Sequence, residues 1–102
     1  IVKAGEGDTL LTMKQLTPVR LVRNKFFHQV IEAEQRGAGM DEMKQLLGRG
    51  RAKKGMFEGD LDEGELEIGQ VAAAIHDVKP AAEILHEIWN EYKVLKQQLC
   101  KP

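Results

Sequence analysis

Residues 48–70 read GRGRAKKGMFEGDLDEGELEIGQ and hold six of the chain's ten glycines. A glycine at nearly every fourth or fifth position rules out one continuous helix or strand here. Arg49, Arg51, Lys53 and Lys54 crowd the first third, and Glu58, Asp60, Asp62, Glu63, Glu65 and Glu67 fill the rest. Such a run invites three sharp readings: a phosphate loop, a calcium loop, or a nucleic-acid tail.

Spacing argues against each. Gly50 and Gly55 have the separation of a Walker loop, but Met56 and Phe57 stand where Lys and Ser or Thr are needed. Gly48-x-Gly50 lacks the third glycine and the preceding strand of a dinucleotide fingerprint. An EF-hand register with Gly64 at position 6 starts on Gly59, and one starting at Asp60 ends on Val71. No aromatic residue is interleaved among the basic ones, and the acidic run follows directly. The plain reading is that the two runs neutralise each other or border an interface.

The whole chain fits that reading. Fifteen Lys and Arg nearly cancel sixteen Asp and Glu, which argues against a dedicated nucleic-acid or membrane-surface protein. The 102 residues suit one small domain with a modest core, and no apolar run approaches the roughly 20 residues of a membrane span. Cys100 is the only cysteine, so no internal disulfide forms and a cytoplasmic setting is expected. There is no serine nucleophile, no HExxH, and no zinc spacing around His28, His76 or His86. No catalytic residue and no metal ligand is therefore assigned. The opening Ile1–Gly5 reads as a last helical turn closed by glycine, so a piece of a longer protein is expected.

The periodicities predict a mostly α chain with at most one short strand near the start. Asp8–Met13 has strand character, and Pro18 makes Leu16–Val22 extended or loop. Asn24 caps a helix bearing Phe26, Phe27, Val30 and Ile31, closed by Gly37. A second helix from about Asp41 carries Met40, Met43 and Leu47 on one stripe. A further turn is expected around Ala52–Phe57. Asp62 with Glu65 resembles a capping box, which predicts a helix from about Glu65 to His76. The last helix is the clearest: Val78, Ala81, Leu85, Ile88, Tyr92, Leu95 and Leu99 step by three or four. Those steps suit a coiled-coil dimer seam and packing on the chain's own domain equally.

Residues 46–75, LLGRGRAKKGMFEGDLDEGELEIGQVAAAI, resemble the C-terminal region of the flavin-dependent enoyl-acyl-carrier-protein reductases. Those enzymes group with the nitronate monooxygenases (2-nitropropane dioxygenase-like enzymes). TPVRLVRNKF at 17–26 and KPAAEILHEIW at 79–89 extend the resemblance over nearly the entire chain. It implies that residues 1–102 are the C-terminal helical part of a β/α (TIM) barrel flavoprotein, with the barrel core and FMN-phosphate loops absent. It implies FMN and NAD(P)H for the intact oxidoreductase of fatty acid synthesis, and no cofactor for this piece alone. Nitronate oxidation is the alternative within the family, and a free-standing helical interaction domain the alternative outside it. The implied partners are the rest of the barrel, a second copy in a homodimer, and an acyl carrier protein thioester, with no nucleic acid and no membrane. Gly69, Gln70, Met56 and Phe57 are the expected cofactor-edge or substrate-pocket residues, although Gln70 can equally serve only to cap or pack its helix. Arg49, Arg51, Lys53 and Lys54 are the expected carrier-protein contacts.

Overall fold

Pro18 shapes the start of the fold. It cannot donate to a ladder, and it stands just before a strand, where no donor is needed. A computed structural model describes residues 1–101 of the chain. In it, β1 (Thr9–Thr12) and β2 (Val19–Val22) form an antiparallel hairpin, with Thr9 opposite Val22 and Thr12 opposite Val19. The expectation of at most one strand is corrected. VRLV is short but alternates, so Leu21 turns into the core while Arg20 turns to the other face.

A third segment lies along the free edge of β2. The Val22 N–H donates to the Leu66 carbonyl at 3.0 Å, and the Ile68 N–H to the Arg20 carbonyl at 3.2 Å. Leu21 and Glu67 form an antiparallel bridge between these bonds. The expected helix from Glu65 to His76 is thereby replaced. Residues 65–68 are extended, and only a five-residue 3₁₀ helix, Gln70–Ala74, follows. The sheet edge takes the backbone groups that a helix would have used, which is a tertiary override of local propensity.

The capping box fails for a related reason. Asp60, not Asp62, makes the turn: its Oδ1 accepts from the N–H groups of Asp62 (3.1 Å) and Glu63 (2.9 Å). The Asp62 carbonyl is turned back to accept from the Phe26 N–H at 3.0 Å. That bond satisfies one of the orphan donors at the start of α1.

Helix α1 (Lys25–Gln35) begins as the sequence predicts, with Asn24 Oδ1 accepting from the Phe27 N–H at 2.9 Å. The same Asn24 donates through Nδ2 to the carbonyls of Leu61 and Gly64, tying the 60–64 turn to the helix. Gly37, at φ +80°, ends α1, and the Ala38 N–H donates to the Ala33 carbonyl at 3.0 Å, the Schellman bond. Helix α2 (Met40–Leu47) buries Met43 but leaves Met40 exposed, narrowing its expected stripe. Helix α3 (Arg51–Met56) is the expected short turn. Ile1–Ala4 makes a single turn, closed by the Ala4 N–H donating to the Ile1 carbonyl at 2.8 Å.

The core is small. Met13, Leu21, Phe26, Phe27, Val30, Ala33, Ala38 and Met43 fill it, with Leu16, Val19, Ile31, Leu46 and Leu47 packed around them. Gly55 of α3 and Gly64 touch backbone to backbone. A β-carbon on Gly64 would lie 2.3 Å from the Gly55 Cα. Helix α4 (Ala81–Leu99) differs from everything before it: none of its residues is buried. The radius of gyration is 17.5 Å, against about 13 Å for a compact domain of this size. No helix among the described residues is long and apolar enough to cross a membrane.

Candidate functional site

The strand alternation that buries Leu21 sends Arg20 to the opposite face of the hairpin. There its Nη1 donates to the Thr9 carbonyl at 3.1 Å and reaches the Thr9 hydroxyl at 3.4 Å. Just before β1, the turn Gly5-Glu6-Gly7 is held by the Gly5 N–H donating to Asp8 Oδ2 at 2.7 Å, with Gly7 at φ +81°. The Ile68–Arg20 bond brings the start of the 3₁₀ helix to the same place, so Gln70 stands beside Arg20. Together these elements enclose a cleft of about 750 Å³, lined by Gly5, Glu6, Gly7, Arg20, Gln70 and Ala73 among others.

The lining sets what the cleft can hold. Gln70 offers one amide donor group and one acceptor. Arg20 offers guanidinium N–H groups, and the acidic Glu6 is among the lining residues. That donor and acceptor mixture suits a neutral polar ligand. For a phosphate dianion it offers one cation, Arg20, with the acidic Glu6 also in the lining.

Of the residues singled out from sequence, Gln70 alone lines this cleft. Gly69 lines the neighbouring groove with Pro18, Val19, Glu67 and Ile68, and Arg20 is shared by both. Met56 and Phe57 stand at the end of α3, 59% and 82% exposed, outside the cleft. Arg20 and Glu6 were missed from sequence. The signal for Arg20 was the period-2 alternation of VRLV; Glu6 gave none.

The charged runs of residues 49–67 largely neutralise each other. Lys54 pairs with Asp60 at 3.3 Å and Lys53 with Glu58 at 3.8 Å. Arg51 is drawn inward. Its Nη1 donates to the Glu63 carbonyl at 2.8 Å and to Glu63 Oε2 at 3.2 Å, and its guanidinium lies 4.7 Å over the Phe26 ring. Glu63 also pairs with Lys25. The Lys25 hydrogen bond, followed by that of Arg51, holds the Glu63 carboxyl below its ordinary range. Asp60 is lowered chiefly by the Glu63 backbone N–H. Glu65 goes the other way: burial, then the adjacent Glu67, pushes it up to about 7. Arg49 is exposed and has no ion pair among the described residues. No group of three His, Cys, Asp or Glu among the described residues could hold a metal ion.

No family model and no curated protein matches the chain. Solved structures do. FabK from Thermotoga maritima matches 96% of this chain at 31% identity with a TM-score of 0.81. A point mutant of the same FabK matches 96% at 31% identity with a TM-score of 0.73. This chain is similar to FabK along nearly its whole length. FabK is an FMN-dependent enoyl-acyl-carrier-protein reductase, so the resemblance read from residues 46–75 holds in three dimensions. The chain spans about a third of FabK: 31% of one structure and 28% of the other.

Proposed function

We propose that this chain is the C-terminal portion of an FMN-dependent, NAD(P)H-using enoyl-acyl-carrier-protein reductase. The observation that carries the reading is the match to FabK at 31% identity over 96% of the chain. Residues 1–102 are then a helical appendage beside the mouth of a β/α barrel, where barrel active sites are built from loops. On this reading the flavin is held by the remainder of the longer protein, since the chain spans about a third of FabK. No step of the flavin chemistry is assigned to these residues.

Their part is to shape the substrate end. Gln70, with Arg20 beside it, presents donors and acceptors to the polar portion of an acyl thioester. Gly69 borders the adjoining groove, and Met56 and Phe57 offer exposed apolar surface at the end of α3. Arg49, Lys53 and Lys54 face solvent to differing degrees and supply the charge that an acidic carrier protein would meet. Arg51, bonded to Glu63, holds the shape of that surface. The cytoplasm, where acyl carrier protein and NAD(P)H are both at hand, is the setting this reading implies.

The test uses the full-length protein. It should purify yellow and oxidise NAD(P)H with a crotonyl thioester. Turnover of a nitronate with dioxygen instead would move the chain to the nitronate monooxygenases. A colourless protein inert to both substrates would leave the helical interaction domain. Gln70→Ala should lower kcat/KM for the thioester about tenfold, the equivalent of one hydrogen bond of about 1.4 kcal/mol, with flavin affinity unchanged. Unaltered kinetics would leave Gln70 a structural residue.

A further inference from the structure

Gln70 stands at the cleft because residues 65–68 lie on the free edge of β2. Backbone hydrogen bonds hold that strip. The Glu65 N–H donates to the Arg51 carbonyl at 3.0 Å, the Val22 N–H to the Leu66 carbonyl at 3.0 Å, and the Ile68 N–H to the Arg20 carbonyl at 3.2 Å. Strand alternation sets Glu65 and Glu67 on one face of the strip and Leu66 on the other. Leu21, bridged to Glu67, is fully buried, so that face is the inner one. Glu65 is 8% exposed, and Glu67 sits at the rim.

A carboxyl in that place has no partner that favours its charge. Burial and Glu67 act on Glu65, and both favour the protonated form. The cations of the surrounding elements are engaged elsewhere. Arg51 bonds Glu63 and lies over Phe26, Lys25 pairs with Glu63, Lys53 with Glu58, Lys54 with Asp60, and Arg20 bonds Thr9. Glu63 and Asp60, the carboxylates of the preceding turn, are both held toward their charged forms.

We infer that the Glu65–Glu67 pair is a proton-operated latch, which seats the strip and Gln70 beside Arg20 while the pair keeps a proton and loosens them when both carboxyls are ionised. With the proton in place, Glu65 donates to Glu67. Its loss leaves two like charges on one face, one of them buried. Lifting the strip from β2 returns Glu65 to water. Seating is strongest below the ordinary value of 4.5 and weakens as pH rises to about 7. The latch does not depend on which reaction the longer protein catalyses.

Hydrogen exchange in the full-length protein tests it without reference to activity. Protection of the Val22 and Ile68 amides, corrected for the intrinsic pH dependence of exchange, should fall at least about tenfold between about pH 5 and about pH 8. At the alkaline end it should lie at least about tenfold below that of the Val30 amide in α1, because the strip opens without the body. Glu65→Gln, a neutral side chain of the same shape, should remove the fall. Glu67→Gln, at an exposed position, should shrink it. Flat protection in the wild type would overturn the latch, as would an undiminished fall in either variant. Equal protection at Val22, Ile68 and Val30 would also overturn it, since the strip would then open only with the whole body.

Discussion

Helices α1 and α4 carry apolar residues at the same helical spacing and meet opposite fates. α1, with 11 residues, buries Phe26, Phe27, Val30 and Ala33. α4, with 19 residues and more apolar side chains, buries none. The difference lies in what surrounds them. α1 is fixed by Asn24, receives the Asp62 carbonyl at its first turn, and has the hairpin and α2 to pack against. α4 follows the extended residues 75–80 and is hitched at its start only by Lys79, which bonds Glu87 at 2.8 Å and Asp77 at 3.1 Å. Periodicity tells which face of a helix is apolar; it does not tell what covers that face.

The largest expected effect breaks this contrast if it fails. Phe26 is fully buried and carries Arg51 on its ring, so Phe26→Ala should lower the unfolding free energy by about 3–5 kcal/mol. Leu85→Ala, measured by urea denaturation of the same chain, should change it by less than about 0.5 kcal/mol, since Leu85 is 69% exposed. Similar losses at both positions would show α4 packed on the body and erase the distinction.

Within the body, two glycines of one sequence run sharpen the point. Gly64 is pressed on Gly55, so Gly64→Ala forces backbone apart and should cost about 1–3 kcal/mol, read as a lower denaturant midpoint. Gly69 has φ −79°, and a β-carbon added there would meet nothing within 4 Å, so Gly69→Ala should be nearly neutral. A neutral Gly64→Ala would mean that α3 is free to move off the 60–64 turn.

These contrasts also mark what was legible in the sequence. Asn24, the Phe pair, Gly37 and the α4 repeat are local signals, each set by neighbours within a turn or two, and all were readable. The neutralising of the basic run by the acidic one was readable as charge balance. The extended course of residues 65–68 was not, because it is decided by the free edge of β2, more than forty positions earlier in the chain. Arg20 and Glu6 were missed for the same reason: neither means anything until the hairpin and the 3₁₀ helix are brought together around the cleft. Gln70 was found through a resemblance, and the fold supplied its neighbours.

The last expected effect is one of pH, and it too belongs to the body rather than to α4. Glu65 has an ordinary carboxyl value of 4.5 when unfolded and is pushed up to about 7 in the fold by burial and by Glu67. Between those values the native chain keeps a proton that the unfolded chain has lost. Stability therefore falls as pH rises through this window, and the loss is complete above about 7. Glu63 has the opposite sign. Lys25 and Arg51 favour its charged form, so its contribution is present above 4.5 and is lost as pH falls through its lowered folded value. Glu65→Gln should flatten the decline between 4.5 and about 7 and leave the variant more stable than wild type at mildly alkaline pH, while the acid limb set by Glu63 is kept. Urea midpoints measured across that range decide it. If the variant declines in parallel with wild type, Glu65 titrates as an ordinary surface carboxylate and its burial beside Glu67 has no energetic consequence.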